Sequence, residues 1–98
     1  MVQAIENLTR IGGTIVARRR HPTLDGYDVV TLDVDSTEPV PGRADLIGQL
    51  RGTRVEVSVR RELLGQAGTG VRLRCRAKRT PDGAMCEKEP GPGEFGLE

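Results

Sequence analysis

The sequence predicts a mainly β protein, built as one small five-stranded antiparallel barrel with one or two short helical turns. Two observations support this fold class. Apolar and polar residues alternate along several stretches, as they do in strands that bury one face and expose the other. Turn-forming glycine, proline and aspartate residues separate these stretches at short intervals, which is typical of small all-β domains.

The first two strands are predicted at residues 8–20 and 27–35. Residues 14–16, Thr-Ile-Val, are β-branched and favour extended backbone. Gly12 and Gly13 interrupt the first strand and predict a bulge or bend there. The connection between the strands ends in Asp-Gly, which is a hairpin signal. In the second strand, one face carries Val30, Leu32 and Val34 together with Asp28.

Two short helical turns are predicted on either side of a third strand. Residues 44–50 place Leu46, Ile47 and Leu50 on a small apolar face, so one or two helical turns are expected there. Residues 53–60 form the clearest strand, because valines at 55, 57 and 59 alternate with polar residues. Residues 61–64 predict a second helical turn.

A hairpin is predicted to complete the sheet. In the fourth strand, residues 71–79, Leu73, Cys75 and Ala77 point one way and the charged residues point the other. Thr-Pro-Asp-Gly at 80–83 has proline and glycine at the positions that a tight turn favours. Residues 84–87 return as a short fifth strand.

Five strands with a long bent first strand resemble the oligonucleotide/oligosaccharide-binding (OB) fold by pattern alone. An SH3-like barrel is the alternative. The stronger helical candidate precedes the third strand, whereas in an OB fold the helix lies between strands three and four. Residues 1–88 are predicted to form the single domain. Residues 89–98 are predicted to form a flexible tail without a ladder, because proline and glycine dominate them.

The charges nearly cancel overall, at +1, but they are arranged in blocks. Residues 21–50 carry net −5, from one arginine and six acids, and residues 51–79 carry net +7, from nine cations and two acids. Such blocks mark a partner surface or pair with each other in the fold. Two cysteines make no disulfide framework, and no apolar run approaches the roughly 20 residues that span a bilayer. With no secretion signal visible, we expect a cytoplasmic protein that does not enter a membrane.

The fourth strand carries the main candidate site. Because strand side chains alternate, its four cations lie on one face at a spacing of about 6.6–7 Å, comparable to that of phosphates along a nucleic-acid strand. We call Arg72, Arg74, Arg76 and Lys78 the basic stripe. The candidates that widen it are Arg54, Arg60, Arg18 and Arg20, and Tyr27 is the aromatic candidate for base stacking. The competing interpretation is a solvated face paired with Glu56, Asp33 or Asp35.

No motif of a hydrolase, phosphate loop or dinucleotide site is present, so we expect no enzyme and no cofactor. One histidine and two cysteines without metal-ligand spacing predict no metal site. The predicted function is a non-catalytic binding module for single-stranded nucleic acid or another polyanion. The alternative is a protein-interaction or assembly module, and no oligomeric state is predicted.

Overall fold

The computed structural model describes residues 6–98, and its regular secondary structure is mostly strand. In chain order the elements are β1 (Thr9–Arg20), β2 (Tyr27–Pro39), a 3₁₀ turn (Gly48–Leu50), β3 (Arg54–Arg60), α1 (Arg61–Leu64), β4 (Arg72–Thr80), β5 (Gly83–Cys86) and β6 (Phe95–Leu97). All five predicted strands are present, and the predicted helical turn at 61–64 is α1.

Five strands close into a barrel in the order β1-β2-β3-β5-β4, and β4 then pairs with β1. All of these pairings are antiparallel except β3 with β5, which run parallel. The predicted small five-stranded barrel is therefore confirmed, and only this one seam departs from the predicted antiparallel pairing. After β3 the chain crosses through α1 to reach β4, and β4 lies against β1. The β4–β5 hairpin then returns a strand into the remaining gap, parallel to β3.

The bend in β1 lets this one strand pair with β2 on one edge and with β4 on the other, which closes the barrel. The β1–β2 register shifts between Gly12 and Gly13, as the sequence predicts, and again between Ile15 and Ala17. Residues 9–14 of β1 also pair with β4 on the other edge. A Cβ atom at Gly13 would lie 2.3 Å from the main-chain oxygen of Asp33, so the close approach of β2 depends on the absence of a side chain there.

The barrel interior is filled by aliphatic side chains that follow the predicted alternation. Val55, Val57 and Val59 of β3 are buried, and so are Leu73, Cys75 and Ala77 of β4. The largest fully buried side chains include Ile15, Leu32, Ile47 and Leu64. Leu64 comes from α1, which places the helical turn against the core between β3 and β4.

The predicted helical stretch at 44–50 is shorter than expected. Only Gly48–Leu50 forms a 3₁₀ turn, and of its expected apolar face Ile47 is buried whereas Leu46 is 46% exposed. The Asp45 carboxylate accepts hydrogen bonds from the Gly48 amide (2.8 Å) and the Thr9 hydroxyl (2.7 Å). These side-chain contacts compete with a helical hydrogen-bond ladder and favour a turn.

The segment 89–98 holds a strand that the sequence did not predict. β6 pairs with the first half of β4, with Leu97 opposite Leu73 and Phe95 opposite Cys75. Pro90 and Pro92 precede this pairing and take no part in it. The expectation that no ladder forms in this segment is therefore wrong for residues 95–97. Phe95 and Leu97 pack against the core, and this apolar contact accounts for the pairing.

An ion cluster closes one end of the barrel. The side chain of Asp28 is only 10% exposed, and its two oxygens accept hydrogen bonds from Arg18 Nε and Arg61 Nε, both at 2.9 Å. Burial by itself raises the pKa of Asp28, but the hydrogen bonds from Arg61 and Arg18 outweigh burial and hold the pKa below 3.8. Arg18 also donates to the main-chain oxygens of Gly65 and Ala67, which ties β1 to the loop after α1.

Candidate functional site

The basic stripe lies on the outer face of the barrel, as the alternation of β4 requires. Leu73, Cys75 and Ala77 are buried, while Arg74 and Lys78 are exposed. Each stripe residue sits opposite a residue of β1, β5 or β6 in the register of the sheet. The structure therefore places the four cations on one face, and their partners decide what that face offers.

Two stripe arginines are held by carboxylates of the same chain. Arg72 makes a two-pronged contact with Asp35 (2.5 and 2.8 Å), and the hydrogen bond from Arg72 keeps the pKa of Asp35 below 3.8. Arg76 makes a similar contact with Glu87 (2.6 and 2.7 Å). Forked arginine–carboxylate pairs are stronger than single contacts and satisfy the donors that would meet a phosphate.

Arg74 and Lys78 remain without a carboxylate partner within residues 6–98. Arg74 lies over the main chain of β6, because a Cβ at Gly96 would come 2.6 Å from its Nη2 atom. Lys78 lies opposite Met85 of β5. Two of the four stripe cations are thus neutralised by carboxylates. The interpretation as a paired face describes Arg72 and Arg76, and the interpretation as an anion-binding face describes Arg74 and Lys78.

Of the arginines expected to widen the stripe, Arg60 lies near another candidate residue, opposite Tyr27 in the register of β2 and β3. Arg18 forms an ion pair with Asp28 at the barrel end. Arg60 forms an ion pair with Glu62 and donates to the main-chain oxygen of Lys88. Arg20 and Arg54 are exposed and have no carboxylate partner among the described residues, but they lie on other strands, at the end of β1 and on β3. The structure does not join these four arginines to the stripe as one surface.

Tyr27, Arg76 and Lys78 do come together, in a groove of about 600 Å³. We call it the Tyr27 groove. Its lining residues are Glu6, Asn7, Leu8, Tyr27, Val40, Pro41, Arg43, Arg76, Lys78, Met85, Cys86, Glu87, Lys88 and Glu89. It therefore contains the only aromatic residue of 6–88 and both lysines of the sequence.

The sheet register explains how this groove forms. β4 continues its pairing beyond Thr9, since the Asn7 side chain accepts a hydrogen bond from the Arg79 amide. On its other edge β4 pairs with β5. The Leu8 amide also donates to the Ala44 oxygen, so residues 6–8 and the stretch after β2 line the groove together with Lys78 and residues 85–89.

The electrostatics of the Tyr27 groove favour an anion modestly. Four cations and three acids line it, for a net charge of +1. Arg43 pairs with Glu6 and Arg76 with Glu87, so two of the acids are already neutralised. Lys78 and Lys88 have no ion-pair partner in the part of the chain that the structure describes. Their ammonium groups are the donors that a ligand would meet.

A smaller hollow, of about 420 Å³, lies on the β2–β3 face between the loops that precede β2 and β5. Arg19 and Glu56 form an ion pair across it, and Asp82 adds a further negative charge, so one cation faces two acids. His21 turns inward to the loop, where its Nδ1 accepts hydrogen bonds from the amides of Thr23 (3.2 Å) and Leu24 (2.9 Å). With more acids than cations, this hollow does not favour the binding of a polyanion.

The two cysteines are buried free thiols. Cys86 lies opposite Ala77, which is the register expected of a tight hairpin at 80–83, and so Cys75 is diagonal to it. The neighbouring Cys86 thiol and burial raise the pKa of Cys75 well above its usual value. A thiol in this state is a poor nucleophile. Over residues 6–98, no group of three histidine, cysteine or acidic side chains is arranged to hold a metal ion.

Sequence reasoning missed the groove because its walls come from distant stretches. Lys88, Met85 and Arg43 carried no signal, since nothing in the sequence relates residues 40–43 to residues 85–89. No described helix has the length and apolar character to cross a membrane. Comparison of the chain with protein-family models, curated proteins and solved structures finds no match.

Proposed function

We propose that this chain is a non-catalytic binding module for single-stranded nucleic acid, and that the strand lies in the Tyr27 groove. The observation that carries the proposal is the meeting of Tyr27 with Lys78 and Lys88 in one groove. The two ammonium groups supply contacts to phosphates, and the ring supplies a face on which one base can stack. Aromatic stacking combined with a cationic groove is the usual basis of single-strand binding.

The barrel topology supports the same proposal. The closure order β1-β2-β3-β5-β4, with α1 between β3 and β4, matches the OB arrangement, and we propose an OB-like fold rather than an SH3-like barrel. OB folds commonly bind oligonucleotides on the β2–β3 face, between the loops that precede β2 and β5. In this chain that face has more acids than cations, so we place the ligand in the Tyr27 groove. The proposed location is the cytoplasm.

Removing both groove lysines is expected to weaken binding and reduce its salt dependence. Each phosphate contact on a single strand contributes about 0.7 to the slope of log K against log salt. Lys78→Ala with Lys88→Ala should therefore lower that slope by about 1.4. The measurement is fluorescence anisotropy of labelled ten-nucleotide DNA and RNA across a salt series.

Arg51→Ala with Arg54→Ala is the matched control for the lysine pair. It removes two exposed cations that have no carboxylate partner within residues 6–98 and lie outside the Tyr27 groove. An equal change of slope in both double variants would contradict a site in the groove, because the loss would then reflect net charge alone.

Replacing the ring of Tyr27 tests the stacking contact separately. Loss of one base–aromatic stack costs about 1–3 kcal/mol, so Tyr27→Leu should weaken binding roughly 5- to 150-fold at fixed salt. Tyr27→Phe keeps the ring and should bind within about 2-fold of the wild type. Because the stack is apolar, the salt slope of Tyr27→Leu should stay that of the wild type.

The alternative function, a protein-interaction or assembly module, makes the opposite prediction for the same assay. Two ion pairs already join the acidic and basic blocks of the sequence, Asp28–Arg61 and Asp35–Arg72, which favours internal pairing of those blocks. If the wild type binds neither DNA nor RNA at low salt, the nucleic-acid proposal is rejected. Self-association in light scattering would then support the assembly alternative.

A further inference from the structure

We propose that Glu94 acts as an internal substitute for a phosphate group, covering an anion site formed by Arg10, Arg74 and Arg76 that single-stranded nucleic acid occupies when Glu94 is displaced. The inference rests on the proposed function for its ligand and concerns a different surface from the Tyr27 groove. It gives a reason why Arg74 and Arg76 of the basic stripe lie beside residues 94–96.

Two arginines, Arg10 and Arg76, contact the Glu94 carboxylate, and the charge of Arg74 acts on it without a direct contact. Arg10 contacts both of its oxygens, through Nε at 3.4 Å and Nη2 at 3.3 Å, and Arg76 Nε lies 3.4 Å from one of them. The hydrogen bond from Arg10, helped by the charges of Arg10, Arg76 and Arg74, lowers the pKa of Glu94 below 4.5. A phosphate oxygen placed at this carboxylate would accept hydrogen bonds from Arg10. It would also lie near the charges of Arg74 and of Arg76, which stays bound to Glu87.

The contacts of Glu94 are longer than those of the two acids that hold stripe arginines, Glu87 and Asp35. Glu87 holds Arg76 at 2.6 and 2.7 Å and Asp35 holds Arg72 at 2.5 and 2.8 Å, whereas the closest approach of Glu94 to any arginine is 3.3 Å. Hydrogen bonds between charged groups are usually about 2.7–2.9 Å. Of these three acids, Glu94 is therefore the one that an incoming anion can displace most easily. Glu38, 3.8 Å from Arg10 and 71% exposed, is held more loosely still.

The segment that carries Glu94 is attached to the barrel at one end of the stripe. It is held by the three-residue strand β6 and by the exchange of main-chain hydrogen bonds between Glu98 and Arg72 (2.8 and 2.9 Å). Arg74 lies across β6 at Gly96. Glu94 precedes this attachment, so it can leave Arg10 while β6 stays paired, and the exposed Arg74 is then no longer near the Glu94 charge.

Glu94→Gln removes the charge that occupies the site and keeps the size of the side chain. We expect it to bind the ten-nucleotide strand at least 3-fold more tightly, with a salt slope steeper by about 0.7 for each phosphate newly contacted. Asp33→Asn is the matched control, since it makes the same charge change at an exposed acid of β2 that has no ion pair among the described residues. The control should stay within 2-fold of the wild type.

Arg74→Ala is introduced into the wild type and into the Glu94→Gln variant. The comparison tests whether the gain from Glu94→Gln comes from exposing this site or from the change in net charge. Arg74→Ala should change affinity less than 2-fold when Glu94 is present and reduce it at least 3-fold in the Glu94→Gln variant. Equal effects in both backgrounds, or equal gains from Glu94→Gln and Asp33→Asn, would overturn the inference while leaving wild-type binding in the Tyr27 groove intact. Binding by Glu94→Gln but not by the wild type would support the inference and reject the groove, and binding by neither would reject both proposals.

Discussion

Replacing Asp28 by asparagine is expected to lower the free energy of unfolding by about 3 kcal/mol at pH 7. The substitution removes the one negative charge that Arg18 and Arg61 share at the barrel end. Arg18 is only 20% exposed at its side chain, so it would keep its charge with little water to solvate it. Arg61 is more exposed, which places the cost at the lower end of the range for a broken buried pair. Urea denaturation followed by circular dichroism measures the loss.

The pH dependence of this loss identifies its cause. The folded-state pKa of Asp28 lies below 3.8, whereas in the unfolded chain it is about 3.9, so the ionised carboxylate stabilises the fold above about pH 4. That contribution is lost as the pH falls through the folded-state pKa. The gap between wild type and Asp28→Asn should therefore narrow below pH 4. Glu56→Gln breaks the exposed Arg19–Glu56 pair and should cost no more than about 1 kcal/mol; a similar cost for both variants would contradict the special role of Asp28.

Replacing Gly13 by alanine is expected to destabilise the barrel by about 3 kcal/mol. The added Cβ would lie 2.3 Å from the main-chain oxygen of Asp33 and 2.9 Å from its carbonyl carbon. Main-chain atoms of a paired strand cannot move aside without breaking the β1–β2 ladder at the bulge. The same denaturation assay measures the effect.

The neighbouring glycine provides a matched control. At Gly12 a Cβ would meet the Ser36 hydroxyl at 2.6 Å and the Arg72 Nη2 atom at 3.0 Å, and both are ends of side chains that can rotate away. Gly12→Ala should therefore cost less than about 1 kcal/mol. If both alanine variants unfold at the same urea concentration, the bulge does not depend on the close approach at Gly13.

The strands could be predicted because each follows from a local pattern. Val55, Val57 and Val59 alternate with polar residues, and this alternation specifies both the strand and its buried face. Gly12 and Gly13 marked the bulge for the same reason. The strand β6 could not be predicted in this way, because residues 95–97 are short and follow a proline–glycine stretch. Only the apolar contact of Phe95 and Leu97 with the core orders them as a strand.

The candidate site was likewise predictable in part from the local pattern of β4 and in part only from the tertiary structure. Alternation in β4 by itself determined that Arg72, Arg74, Arg76 and Lys78 share the outer face, because successive strand side chains point to opposite sides. Which of these cations stay available was decided by the tertiary structure alone, since their partners come from β2, from the residue after β5 and from the segment before β6. The meeting of Tyr27 with Lys78 and Lys88 likewise depends on barrel closure. A local sequence pattern specifies the direction of a side chain, whereas its distance to an opposite charge depends on how distant strands pair.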